Sequence, residues 1–341
     1  MPQVGHLDRY FLSVMDEIQS LLRYAWQTEN QLTIPVSGTG SAAMESCFAN
    51  LVEPGDRVLI AVSGYFGTRM VDMAGRYGAQ VHAITRPWGT VFPLEELEEA
   101  LKRHRPKLLG LVHAETSTGA LQPIEALGAL CRDHDCLLLV DTVTSLGGTP
   151  LFLDEWGVDA AYSGSQKCLN CPPGIAPVTF GPRAMAQLNQ RKTPVANWYL
   201  DLSMVCNYWG KERTYHHTAP INMNYGLREA LRLLAEEGLE PRWQRHRETV
   251  ALLYEGLNDL GLTLHVEAPE HRIPALTTVR IPEGVDGKAV CQTLLNQYNI
   301  EIAGGLGELA GKVWRIGTMG FNARKENVLL LLSALKAVLH R

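Results

Sequence analysis

Between about residues 55 and 185, short apolar runs alternate with amphipathic stretches, and few architectures accommodate that rhythm. The strand candidates are Arg57–Ser63, Ala79–Thr85, Lys107–His113, Cys136–Asp141, Asp159–Ser163 and Ile175–Phe180. Each is mostly Val, Leu, Ile or Ala, the composition expected of strands covered on both faces. Helical patterns lie between them, among them Leu94–His104 and Pro123–His134. The second has proline near its start and sets Ile124, Leu127 and Leu130 on one stripe. Strands alternating with helices predict an α/β fold with a mainly parallel sheet, and ligands at the carboxyl ends of its strands.

The rhythm changes after about residue 195. Residues 196–222 are aromatic-rich and irregular and read as one long functional loop. Helices are expected near Tyr225–Glu237 and Arg242–Leu260, then strands at Thr277–Ile281 and Val313–Gly317, then a closing helix, Ala323–His340. A further helix, Tyr10–Thr28, lies near the start. The chain thus divides into an N-terminal arm over 1–30, a large domain over 31–235 and a smaller α+β domain over 236–341.

Composition narrows the function. Thirty-one basic against 36 acidic residues leave a net charge of −5 and no basic stripe, so nucleic acid is not an expected partner. No apolar run reaches the ~18 residues of a membrane-spanning helix. The first residues lack a charged-then-apolar leader, and Ala337–Arg341 is not a Ser-Lys-Leu tail. Seven unclustered cysteines fit reduced thiols, and together these features predict a cytoplasmic protein.

Three features carry chemistry. Asp141 ends an apolar strand, where a carboxylate must be paired or is costly; it is either a helix cap, a magnesium ligand or a functional acid. Lys167, in Ser-Gly-Ser-Gln-Lys, lies just beyond the next strand. A lone lysine is usually a solvated charge, but these two residues end consecutive strands and should face one crevice. An acid for a pyridine nitrogen and an amine for a Schiff base are what pyridoxal phosphate (PLP) requires. The turn Ser37-Gly-Thr-Gly40-Ser41 runs into a helical stretch whose free N–H groups suit a phosphate. It lacks the third glycine of a dinucleotide site and the Gly-Lys-Ser/Thr of a P-loop.

Together these segments resemble the class V aminotransferases of PLP fold type I, and within them the alanine–glyoxylate (serine–pyruvate) branch. The likeness extends over nearly the whole chain, through His113-Ala-Glu-Thr-Ser-Thr-Gly119, Tyr215-His-His-Thr218, Gly304-Gly-Leu-Gly307 and Val313-Trp-Arg-Ile-Gly317. It implies a mainly parallel seven-stranded sheet and a homodimer with shared active sites, acting on small amino acids and 2-oxo acids. Lys167 would be the Schiff-base lysine and proton shuttle, and Asp141 the partner of the pyridinium nitrogen. Gly40, Ser41 and Gln166 would hold the phosphate, with Tyr215 and Thr218 reaching the neighbouring subunit's phosphate. Phe66, Thr116 and Val143 would pack or bond around the ring, and Arg315 would clamp the substrate carboxylate.

Two positions depart from the branch. Phe66 stands where mammalian relatives have a stacking tryptophan, and Ser41 where they have histidine. A phenyl ring still stacks, so affinity changes more than reaction type. The family's N-terminal Gly-Pro-Gly-Pro segment has no counterpart before Gly5-His-Leu-Asp8, so a shortened arm is expected. The implied activity is transfer of an amino group from alanine or serine to glyoxylate. The alternatives are a serine– or ureidoglycine–glyoxylate transaminase, or a non-catalytic, hydrogenase-associated interaction protein. Cys168-Leu-Asn-Cys171 is a single C-x-x-C, and the adjacent His216 and His217 rarely reach one ion together, so no metal is expected. The acidic run Glu95–Glu99 reads as the solvated face of a helix.

Overall fold

The computed structural model describes residues 4–339; the expected last helical residue, His340, and the ends of both terminal readings lie outside them. Seven strands form one sheet: β1 (Leu32–Ser37), β2 (Arg57–Val62), β3 (Gln80–Thr85), β4 (Leu108–Val112), β5 (Leu137–Asp141), β6 (Ala160–Tyr162) and β7 (Ile175–Phe180). Their order is β1-β7-β6-β5-β4-β2-β3. All neighbouring pairs from β6 to β3 are parallel, whereas β7 runs against both β1 and β6. Burial explains the composition: β4, β5, β6 and β7 are buried throughout, and apolar residues fill both faces.

The large core also takes in the first helix, Arg9–Trp26, through Phe11, Met15, Ile18, Leu22 and Trp26. Asp8 caps its start by accepting from the Tyr10 amide at 2.8 Å. At its end the Trp26 indole donates to Thr142 Oγ1 (3.0 Å), the residue after β5. The chain's start is therefore packed behind the end of a central strand.

Residues beyond 260 build a second, antiparallel sheet, β8 (Leu276–Arg280), β9 (Ala303–Gly304) and β10 (Val313–Gly317), with β10 in the middle. Helices Gly287–Tyr298 and Lys325–Leu339 cover it around Val279, Leu294, Trp314 and Leu335. The helix Leu239–Asp259 joins the cores, giving Leu239 and Trp243 to the larger and Leu253 and Leu257 to the smaller. Among the described residues no helix is long and apolar enough to cross a membrane.

Four local expectations change. β1, absent from the strand candidates, contains Pro35, which pairs with Pro177 of β7; at a sheet edge the missing N–H is tolerated. β3 is the opposite edge and is half-exposed, so its alternating Gln-Val-His-Ala-Ile-Thr is covered on one face only. The helix expected from Pro123 begins at Leu127. Gln122 Nε2 donates to the Pro123 carbonyl (3.0 Å) and to Phe92 O (3.0 Å), tying down the segment that would have been its first turn. The supposed loop 196–222 contains a helix, Leu202–Trp209, capped by Asp201 through the Ser203 amide (2.9 Å). Leu202, Val205, Tyr208 and Trp209 form its buried stripe.

Candidate active site

The carboxyl ends of β4, β5 and β6 open into a cavity of about 120 Å³. The glycine turn and the start of the helix Gly40–Leu51 form one wall, and the start of the helix Tyr65–Arg76 another. Gly40, Ser41, Phe66, Thr116, Asp141, Val143, Gln166 and Lys167 all line it. The amides of Gly40 and Ser41 have no acceptor among the described residues, as expected in the first turn of a helix. Gly38 bends the turn with φ +151°, and a Cβ there would lie 2.5 Å from Ala42 Cβ.

Asp141 is buried at the tip of β5. Its Oδ2 accepts from the Tyr162 hydroxyl (2.7 Å) and its Oδ1 from the Val143 amide (2.8 Å). Tyr162 is its register partner on β6. Burial pushes the Asp141 carboxyl up to about 7, with the Glu115 charge adding to the rise. The two hydrogen bonds and Lys167 work in the opposite direction.

Lys167 sits in the turn after β6; its carbonyl accepts from the Asn170 amide (2.9 Å), and its amine has no hydrogen-bond partner among the described residues. Burial, and then the nearby Arg315, hold its ammonium below the ordinary lysine range. The turn is fixed from behind rather than through the amine: Cys168 donates to Thr144 O (3.0 Å), and Arg242 donates to Cys168 O (2.7 Å). Cys171 is likewise buried with a free thiol, so the C-x-x-C serves packing here.

Arg315, on β10, crosses from the small sheet toward this cavity without lining it. It donates to Gly304 O (2.8 Å) and to Thr116 O (3.2 Å). Thr116 follows Glu115, a buried carboxylate to which no signal in the sequence assigns a role. Glu115 accepts from the Phe66 amide (3.0 Å), the Ser117 amide (3.0 Å) and the Ser117 hydroxyl (2.6 Å). It thereby caps the helix that carries Phe66. A Cβ at Gly64 would come within 2.3 Å of Glu115 Cγ, so this approach needs glycine.

Tyr215 and Thr218 stand apart from the cavity. Tyr215 is 56% exposed, and its hydroxyl lies 3.4 Å from Thr218 Oγ1. Between them, His217 Nε2 meets Ser37 Oγ at 2.7 Å, tying this segment to the glycine turn, while His216 and His217 bond to each other (2.8 Å). Tyr162 and Arg69 also line the cavity and are not among the residues expected there from the sequence. Tyr162 was accessible in principle, since parallel register sets it level with Asp141. Arg69 was signalled by its position three residues after Phe66 on one helix.

This donor set suits pyridoxal phosphate. It combines an amine whose ammonium form burial disfavours, a buried carboxyl in the same cavity and an open run of amides. Comparison with known proteins agrees on the family. The family model for class-V aminotransferases matches residues 2–330. The crystal structure of alanine–glyoxylate aminotransferase from Nostoc sp. is 66% identical and superposes with a TM-score of 0.98, covering 99% of this chain and 90% of that one. Alanine–glyoxylate aminotransferase of Callithrix jacchus is 46% identical over 99% of this chain and 83% of its own length. The ureidoglycine–glyoxylate aminotransferase structure from Bacillus subtilis is 45% identical with a TM-score of 0.98, covering 100% of this chain and 88% of that one. The fold is that of the fold type I aminotransferases, and the chain belongs to the class-V aminotransferase family.

Proposed function

We propose that this protein is a PLP-dependent transaminase that moves an amino group from alanine, or from serine, to glyoxylate by a ping-pong mechanism. The observation that carries the reading is the shared cavity of Lys167 and Asp141, flanked by the open amides of Gly40 and Ser41. When bound, PLP supplies an electron sink for the electrons left at the substrate Cα. Lys167 Nζ, with its ammonium form disfavoured, acts as nucleophile and then carries the Cα proton. Asp141 would hold a proton on the ring nitrogen, with its carboxylate oriented by the Tyr162 hydroxyl and the Val143 amide. Gly40, Ser41 and Gln166 would hold the phosphate, and Phe66, Thr116 and Val143 would surround the ring, all six lining the cavity.

Arg315 is read as the substrate-carboxylate clamp. Its Nε and Nη1 are already tied to Gly304 and Thr116, which pre-orients the guanidinium and leaves further donors free. Replacing it with alanine is expected to raise the apparent KM of both substrates by roughly ten- to a hundredfold, the worth of a charge-assisted hydrogen bond. Bound PLP, read by its visible absorbance, should persist in that variant.

The exposed Tyr215 and Thr218 are read as contributions to a neighbouring copy's site in a homodimer. The free thiols of all seven cysteines are consistent with a cytoplasmic protein. The division into an arm over 1–30, a large domain over 31–235 and a small domain over 236–341 is supported in outline by the two cores that the helix Leu239–Asp259 joins, although the first helix and the start of the joining helix pack into the larger core.

Titration of the purified holoenzyme tests the proposal. L-alanine is expected to bleach the yellow band and glyoxylate to restore it. A band that alanine leaves untouched overturns the alanine assignment. The likeness to the Bacillus subtilis protein favours ureidoglycine as a second donor. The ranking of kcat/KM for alanine, serine and ureidoglycine, with glyoxylate as acceptor, decides between them.

A further inference from the structure

The helix Tyr65–Arg76 presents a second residue to the cavity beside Phe66. Arg69 is half-buried there, and its Nη1 donates to Ser41 Oγ at 2.9 Å. Its guanidinium carbon lies 5.0 Å from the Phe66 ring centroid and 5.4 Å from that of Tyr65. No carboxylate pairs with it among the described residues. The other cation lining the cavity is Lys167, whose amine is committed to chemistry.

A partly desolvated guanidinium without a counter-charge is costly, and the aromatic faces beside it compensate only in part. A phosphate monoester carries about −1.5 to −2 charges at neutral pH. The groups assigned to it so far are amides, hydroxyls and a carboxamide, all neutral. Ser41 connects the two observations: its oxygen accepts from Arg69, so its own proton is available to an anion at the Gly40–Ser41 amides.

We propose that Arg69 is the charge partner of the cofactor's phosphate, acting from the Phe66 helix and through Ser41. This inference rests on the PLP reading above. Arg69 supplies the positive charge, orients the Ser41 hydroxyl and ties the stacking wall to the phosphate wall of one cavity.

The test compares PLP with pyridoxal, which lacks the phosphate, by fluorescence titration of wild type, Arg69→Gln and Arg69→Lys after removal of the resident cofactor. Arg69→Gln is expected to weaken PLP binding by roughly ten- to a hundredfold and to leave pyridoxal unchanged. Arg69→Lys should recover part of the loss, as a point charge without the fork. In the holoenzymes, phosphorus NMR is expected to show a dianion whose shift stays flat through about pH 6 in wild type and titrates in Arg69→Gln. Equal losses for PLP and pyridoxal would mean that Arg69 acts only by supporting Phe66, and would overturn the proposal. So would an unchanged PLP affinity. If wild type binds PLP, either result removes this inference alone; if wild type takes up neither compound, the cofactor reading falls with it.

Discussion

Lys167→Ala is expected to leave the fold in place and to lower turnover by roughly 10⁴-fold or more, since one substitution removes both nucleophile and proton carrier. The fold should survive because the Lys167 amine supports nothing else. That amine has no hydrogen-bond partner among the described residues, and its turn is held by Arg242 and Cys168 from the opposite side. Truncation also relieves the cost of a cation that burial and Arg315 already disfavour. Thermal melting should therefore move little, while steady-state turnover disappears. Borohydride should fix the cofactor covalently to wild type and not to the variant. Retained turnover at a normal melting temperature would falsify the assignment of Lys167.

Much of this site is legible in the chain because parallel strands order residues by depth. β5 and β6 are neighbours in sequence and in space, so their ends necessarily approach, and Asp141 and the segment leading to Lys167 follow. The glycine turn is legible for a related reason: glycines ahead of a helix mark a tight bend with open amides. Both signals are local in sequence and become three-dimensional through one regular sheet.

What escaped is non-local. β1 completes the sheet only by pairing with β7, well over a hundred residues later, and its proline masks the pattern. Glu115 matters because it reaches across to the amide of Phe66, and no spacing within its own segment reveals that. Arg315 looks like an edge arginine until β10 is seen donating to Thr116 O from another sheet. Arg69 shares a helix face with Phe66, but what it bonds to emerges only from Ser41, 28 residues away in sequence. The aromatic loop 196–222 concealed a helix because its buried positions are Tyr and Trp as well as Leu and Val, and irregular composition obscured regular spacing.

Asp141→Asn is expected to lower turnover by roughly 10²–10³-fold, comparable to the loss of one preorganised electrostatic group from an active site. The amide keeps the carboxylate's shape and can still accept from the Val143 amide, so cofactor binding should weaken far less than catalysis. It carries no negative charge, so it cannot keep the ring nitrogen protonated while electrons accumulate in the ring. The same variant gives a stability signature in the cofactor-free protein. Asp141 is raised from an ordinary 3.8 to about 7, so the folded state binds this proton more tightly than the unfolded chain does. Its contribution is therefore complete at acid pH and is lost as the pH climbs from about 4 through about 7. Asparagine does not titrate. Chemical denaturation of apo wild type should show stability falling across that window, and apo Asp141→Asn should show a flatter profile. A variant with wild-type turnover, or an unaltered pH slope, would mean that the buried carboxyl at the end of β5 is a structural group and that the proton on the ring nitrogen is held elsewhere.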